Sequence, residues 1–342
     1  MGYFKIKIKK LKKFFYRNRK LEPAPYEPLE RIVKSCQQVE DGEMVLFFGD
    51  SVVERVSRDD ADKTPLGQIV TNRLFPRYTT CVISHSAFRP EIYLALSRTI
   101  ASAHKKPSLV ILPINIRSFS PQWDWDPRFD FEQEIRLINY YHCDPEKKMI
   151  RLVPTNQIPV GFWKRQAFLR RKVRYPFSSC TQIRNFVDVI TNKSKDPGDM
   201  EFRWKQIFIF HYLYPLEANC RQLVHLQTLL RFLRDLDIPV LSYLTPINYQ
   251  AGVRYVGEVF KALVLENVEK VLQQMAGQPL KAVSDTVYKG PKLTVADWTF
   301  LLTDNFFFHR NEPTEHLNES GRNKISDGIV RLVFGGEEAG GV

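Results

Sequence analysis

The chain has 342 residues, 44% of them hydrophobic, with 24 Phe and 14 Tyr. That suits one large α/β domain with an insertion and excludes a chain disordered through its body. The formal charge is +12, yet residues 1–20 hold nine Lys or Arg and no acid, so the remainder carries only +3, which argues against a nucleic-acid partner for the body. Cys36, Cys81, Cys143, Cys180 and Cys220 are scattered and odd in number, with no C-x-x-C. This excludes a zinc ribbon, argues against a disulfide framework and predicts a reducing, cytoplasmic compartment.

In chain order, Phe4, Ile8, Leu11 and Phe15 recur at helical spacing within residues 1–20, with Lys5, Lys9, Lys12 and Lys13 around the rest of the helix. A basic amphipathic helix of this kind suits peripheral contact with an anionic membrane surface at its inner face. A solvated tail, or a helix docked on the protein's own body, fits equally well. No uninterrupted apolar run follows the basic residues, so no signal peptide is predicted. "LEPAPYEP" (21–28) reads as a linker, and residues 21–40 lead into a single domain over 41–335 with a flexible tail at 336–342.

Within the domain, "MVLFF" (44–48) is a predicted strand and 60–74 a helix. "TTCVIS" (79–84) is the second strand, "PEIYLALSRTIASAH" (90–104) a helix, and "SLVILPI" (108–114) a third strand, apolar throughout. Residues 120–205, rich in Arg, Phe, Trp and Tyr, break the rhythm and read as a helical or irregular insertion. Next come a helix over 216–236, the strand "PVLSYLTP" (239–246), a long helix over about 252–276 and a last helix from Asn318 to about Val333. This alternation predicts a three-layer α/β/α fold with a central parallel sheet.

In such a sheet ligands sit beyond the carboxyl ends of the strands, so the residues just after each strand matter. They are Gly-Asp-Ser, "SHSAF", "NIRSF" and "TPINY". Ser51 stands where the first strand turns, with Gly49 permitting a tight backbone. A serine nucleophile needs a base, and His316, in "EPTEHLNESGRNKIS" (312–326) just before the last helix, is the candidate. Asn115, directly after the third strand, could donate to an oxyanion, as could the backbone N–H of Ser51 and the backbone near Ser86 and Ala87. The plainer alternative is that Ser51 caps a helix, Asn115 satisfies a turn and His316 lies at the surface.

"GDSV", an Asn after the third strand and the H-L-N-x-x-G stretch, in this order over about residues 40–335, resemble the bacterial GDSL, or SGNH, hydrolase family. The resemblance implies a flavodoxin-like fold, Ser51 as nucleophile, His316 as base and Asn115 as oxyanion donor. Some relatives act on acyl groups of cell-surface polysaccharides. Two departures stand out. The family's block-two Gly is replaced by Ser86 or Ala87, and the family's acid, three residues before the His, falls on Pro313. Glu312 is the substitute preferred here, with Glu315 and Asp304 as alternatives.

Asp50 reads as a brace for the turn, His85 as a buried, hydrogen-bonded ring, and His211 and His225 as structural. No His or carboxylate pair has metal-ligand spacing, so neither metal nor cofactor is predicted. "FWKRQAFLRRKVRY" (162–175) could contact an anionic polymer, lipid headgroups or nucleic acid, or could be an exposed helix face. Trp123 and Trp125 could form a sugar or acyl platform or cover the core. Three functions follow: an esterase cleaving a small acyl ester or an O-acylated carbohydrate, an acyltransferase to a polysaccharide using the same site, and a catalytically inactive relative.

Overall fold

The fold starts from the apolar run Met44–Gly49, strand β1, every residue of which is buried. The computed structural model describes residues 43–101, 106–120, 197–214, 216, 220–277 and 285–335, with 131, 134, 135 and 138 singly. The expectations for residues 1–20, 21–40, 121–130, 162–175 and 336–342 lie outside these. After β1 come α1 (Ser51–Glu54), α2 (Leu66–Leu74), β2 (Thr79–Ser84), α3 (Pro90–Ala101), β3 (Leu109–Ile114) and a 3-10 turn (Ile116–Phe119). The chain continues as α4 (Pro197–Tyr212), α5 (Arg221–Asp235), β4 (Val240–Leu244), α6 (Tyr249–Val256), α7 (Val259–Ala276), β5 (Thr286–Lys289), β6 (Leu293–Asp297), a 3-10 turn (Asp304–Phe306) and α8 (Glu319–Val333).

The strands form one sheet in the order β2-β1-β3-β4-β6-β5. Side chains alternate across a strand, so β1 feeds two cores. Leu46 and Phe48, with Val110 and Leu112 of β3, pack under α3, α5 and α7. Val45 and Phe47, with Ile111 and Leu241, pack under α2 and α8 through Leu66, Val70, Ile325 and Ile329. Covering both faces is why β1 and β3 read as continuous apolar runs rather than alternating ones. The edge strand β2 instead alternates, with Cys81 and Ile83 turned inward. The result is the three-layer α/β/α architecture expected from the sequence.

One expectation is corrected and two details are added. The helix expected over 252–276 is two, α6 and α7, because Gly257 takes φ 101° between them. The short strands β5 and β6, missed in the sequence, complete the sheet; β6 pairs parallel to β4, but β5 runs antiparallel at the edge. Residues 197–205 of the stretch read as an insertion are helical, and α4 carries on into the core, where Phe208 meets Phe260 of α7 edge-on. Among the described residues no helix is long and apolar enough to cross a membrane.

The chain turns back on itself at β1. β2 lies on one side of β1 and β3 on the other, both parallel to it. The crossovers therefore diverge at the carboxyl ends of β1 and β3, the crevice where open α/β sheets bind ligands.

Candidate active site

The crevice is edged by Asp50 and Ser51 from β1 and by Asn115 from β3. Gly49 is needed here for space: a Cβ would lie 2.6 Å from the Val53 side chain, whereas its backbone avoids the left-handed region. Asp50 rather than Ser51 caps α1, its Oδ1 accepting from the Val52 N–H at 2.8 Å. That leaves the Ser51 hydroxyl for another partner. The partner is His316, whose Nε2 lies 3.0 Å from Ser51 Oγ across 265 residues of chain.

His316 is held from both sides. Its N–H donates to Thr314 Oγ1 at 3.0 Å, and its carbonyl accepts from the Phe308 N–H at 3.0 Å. Asn318 then caps α8 by accepting from the Gly321 N–H at 3.0 Å. A Cβ at Gly321 would lie 2.4 Å from the Phe306 carbonyl, so only glycine allows this approach. The H-L-N-x-x-G pattern is thus a device for aiming the imidazole. The Phe308 ring lies 5.6 Å from it.

Asn115 uses both ends of its amide. Oδ1 accepts from the Arg117 N–H at 3.0 Å, starting the 3-10 turn, and Nδ2 donates to Asp50 Oδ2 at 3.2 Å. An amide nitrogen has two hydrogens, so one is left for a ligand. Ser86 Oγ donates to Glu54 Oε1 at 2.6 Å and accepts from Arg55 Nη2 at 3.3 Å, tying the turn after β2 to α1. Ala87 is the third residue of that turn, which the Phe88 N–H closes on the His85 carbonyl at 3.0 Å. Its φ is 72°, in the left-handed region. A non-glycine residue there costs on the order of 1–2 kcal/mol. Ala87→Gly is therefore expected to raise the melting temperature by about 2–4 °C, read by thermal unfolding; a fall would show that the methyl group's packing outweighs the strain.

The expected acid is placed elsewhere. Glu312 lies on the turn 309–312, whose carbonyls at His309, Arg310 and Glu312 all accept from the buried Asn248 Nδ2. Asp304 pairs with Arg254 at 3.2 Å. Glu315 is buried and accepts from the Tyr212 hydroxyl and from Arg117 Nη1 at 3.2 Å. Among the described residues no carboxylate hydrogen-bonds the imidazole. His85 is hydrogen-bonded as expected, its Nδ1 2.9 Å from the Ser86 carbonyl oxygen, but it is exposed rather than buried, with its ring against Phe88 and Phe131. His211 is buried on α4, and His225 faces Glu91 at 3.8 Å.

Burial lowers the His316 pKa to about 4; the Glu315 charge opposes this and Arg117 reinforces it. The ring is therefore neutral near pH 7, as a proton acceptor must be. Burial pushes the Asp50 carboxyl up to about 6, with Glu315 adding to the rise. The two act on stability with opposite signs. The imidazole, depressed from about 6.5, contributes fully above that pH and loses its contribution as pH falls through about 4. Asp50, raised from 3.8, contributes fully below that value and loses it as pH rises through about 6. Wild type should accordingly lose stability relative to His316→Gln between pH 7 and 4.5, by on the order of 2–3 kcal/mol. Calorimetric melts at both pH values check this, and a constant difference would contradict it.

No family model matches the chain. No curated protein matches it either. Among solved structures it is similar to acetylxylan esterase Axe2 from Geobacillus stearothermophilus. A catalytic mutant of that enzyme is 12% identical, with 86% of this chain and 96% of that chain covered and a TM-score of 0.40. A second variant is also 12% identical, with 89% and 99% covered and a TM-score of 0.41.

Several residues around the site escaped the sequence reading. Arg117 and Tyr212 hold Glu315, and Asn248 holds the turn before His316. Arg322, wholly buried, donates to the carbonyls of Thr64, Asp62 and Leu317 and to the Asp60 carboxylate. Asn248 and Arg117 left a signal, in "TPINY" and "NIRSF" after the fourth and third strands. Tyr212 and Arg322 stand on helix faces, where a sequence shows no destination for the side chain.

Proposed function

We propose that the protein is a serine esterase of the SGNH type, acting on a small acyl ester. The observation that carries this reading is the 3.0 Å approach of His316 Nε2 to Ser51 Oγ at the crevice beyond β1 and β3. Nε2 takes the Ser51 proton as Oγ attacks the ester carbonyl carbon. The second Asn115 Nδ2 hydrogen and the backbone N–H groups of Ser51 and Ala87 receive the charge on the carbonyl oxygen. The tetrahedral adduct breaks its bond to the alcohol oxygen, which takes the proton from Nε2 and leaves. Water then attacks the acyl carbon and gives its proton to Nε2. Collapse releases the acid, and Oγ recovers the proton. A sugar hydroxyl in place of that water would make the same site an acyltransferase.

Glu315 serves as the positioning residue in place of the expected Glu312. Its carboxylate attracts the imidazolium formed during attack without contacting it. Glu315→Gln is expected to lower kcat about tenfold with little change in KM, and to move the acid limb of kcat/KM to lower pH. The shift is downward because the removed charge holds the imidazole pKa up. An unmoved limb would assign Glu315 a packing role only.

A fluorophosphonate probe tests the whole reading. Wild type is expected to be labelled and Ser51→Ala and His316→Ala not. Equal labelling of all three, or none of wild type, would leave an inactive binding protein as the function.

A further inference from the structure

Ser51 opens α1, and the helix closes one turn later at Arg55, whose backbone N–H donates to the Ser51 carbonyl at 3.0 Å. Side chains four positions apart on a helix share a face, so Arg55 is carried on the side of α1 that presents the Ser51 hydroxyl. A hydrogen bond from Nη2 to Ser86 Oγ at 3.3 Å ties the guanidinium to the turn after β2. That turn supplies the Ala87 N–H which the esterase reading uses for the oxyanion. The positive charge also reaches the imidazole, where it adds to the lowering of the His316 pKa. Arg55 thus stands at the rim of the crevice, next to both members of the pair.

The charge is available to a ligand. Arg55 is exposed, and among the described residues no carboxylate pairs with it. Ser86 occupies one nitrogen, and the other N–H groups of the fork remain for a further acceptor. The neighbouring cation differs: Arg117 is paired with Glu315 at 3.2 Å. A guanidinium recognises carboxylate or phosphate through two parallel N–H groups. Glu54 selects between them. Its Oε1 accepts from the Ser86 hydroxyl at 2.6 Å, so it shares with Arg55 the oxygen that positions the fork. A ligand with one negative charge is attracted by Arg55, whereas a second charge would be repelled by Glu54.

We propose that Arg55 is a specificity-determining residue and that it binds a carboxylate carried by the ester substrate close to the bond that Ser51 attacks. This rests on the serine-esterase reading and adds the chemical class of the substrate, an acidic ester with a single negative charge.

The test compares kcat/KM for para- and meta-acetoxybenzoate with kcat/KM for the matching neutral amides, para- and meta-acetoxybenzamide. Wild type is expected to favour the acid for the isomer whose carboxylate reaches Arg55. Arg55→Ala is expected to lower that acid-to-amide ratio about tenfold, and Arg55→Lys by less, since an ammonium keeps the charge but not the fork. The ratio cancels any general loss from a disturbed α1. Raising NaCl to about 1 M should erode the ratio in wild type and not in Arg55→Ala, because an exposed charge is screened. In parallel, para- and meta-hydroxybenzoate are titrated calorimetrically into Ser51→Ala and into the same protein with Arg55→Ala added, where weaker binding is expected. A ratio that Arg55→Ala leaves unchanged for both isomers, with normal fluorophosphonate labelling of wild type, would overturn the carboxylate site and leave the esterase standing. Unlabelled wild type with hydroxybenzoate binding that depends on Arg55 would do the reverse, keeping the acid-binding rim and removing the serine chemistry.

Discussion

Ser51→Ala is expected to lower kcat on phenyl acetate by roughly 10⁴-fold, His316→Ala by a similar factor, and the double variant no further. A hydroxyl has almost no nucleophilicity at neutral pH without a base, so removing either group removes one shared step. The 3.0 Å contact makes the two a unit, and units are non-additive. The residual rate expected comes from binding and from the oxyanion donors proposed at Asn115 and Ala87. Steady-state kinetics on the three variants settles it. Losses that multiply in the double variant would mean that the two side chains act separately and that their contact is incidental.

Arg322→Met is expected to destabilise the protein by about 3–5 kcal/mol, the largest stability effect of any substitution considered. Arg322 has no exposed surface. Its guanidinium pairs with Asp60, itself almost wholly buried, and donates to the carbonyls of Asp62, Thr64 and Leu317. Methionine fills similar volume but strands the Asp60 carboxylate without its cation and three carbonyls without their donor. Lysine keeps the charge, yet its compact ammonium cannot span acceptors that the guanidinium reaches as a fork, so Arg322→Lys should fall in between. The loop after α1 and the Leu317 carbonyl next to His316 would also lose their common anchor. Loss of fluorophosphonate reactivity should therefore precede global unfolding on heating. Thermal melts followed by circular dichroism, with labelling at each temperature, check both points. A melting temperature within 2 °C of wild type would show that the clamp is dispensable.

The amino-acid order alone determined the local and periodic features. The runs at 44–48 and 108–114 were legible as strands of a doubly covered sheet, since continuous apolar sequence of that length fits apolar neighbours on both faces. Ser51 and Asn115 were singled out because a parallel sheet puts its ligands at strand ends, and His316 because a serine nucleophile needs a base and this one stands just before the last helix, arguments that need no coordinates. Asn318 was legible as a cap for the same reason: its bond to Gly321 spans three residues.

Contacts between distant segments were decided by the tertiary structure. The order of strands around β1, the antiparallel β5 and the burial of Arg322 all depend on which surfaces meet, and no local pattern encodes that. Glu312 illustrates the difference. By spacing it was the acid next to Pro313, where the resemblance puts the family's acid, but Asn248, more than sixty residues away, grips the turn by its carbonyls and leaves Glu312 on the wall of a cavity between α4 and α6. Glu315 was an alternative by sequence; Tyr212 and Arg117 draw it into the interior, where its charge bears on the imidazole through space. Sequence spacing ranks residues by distance along the chain, whereas a charge or a hydrogen bond acts on distance through the fold.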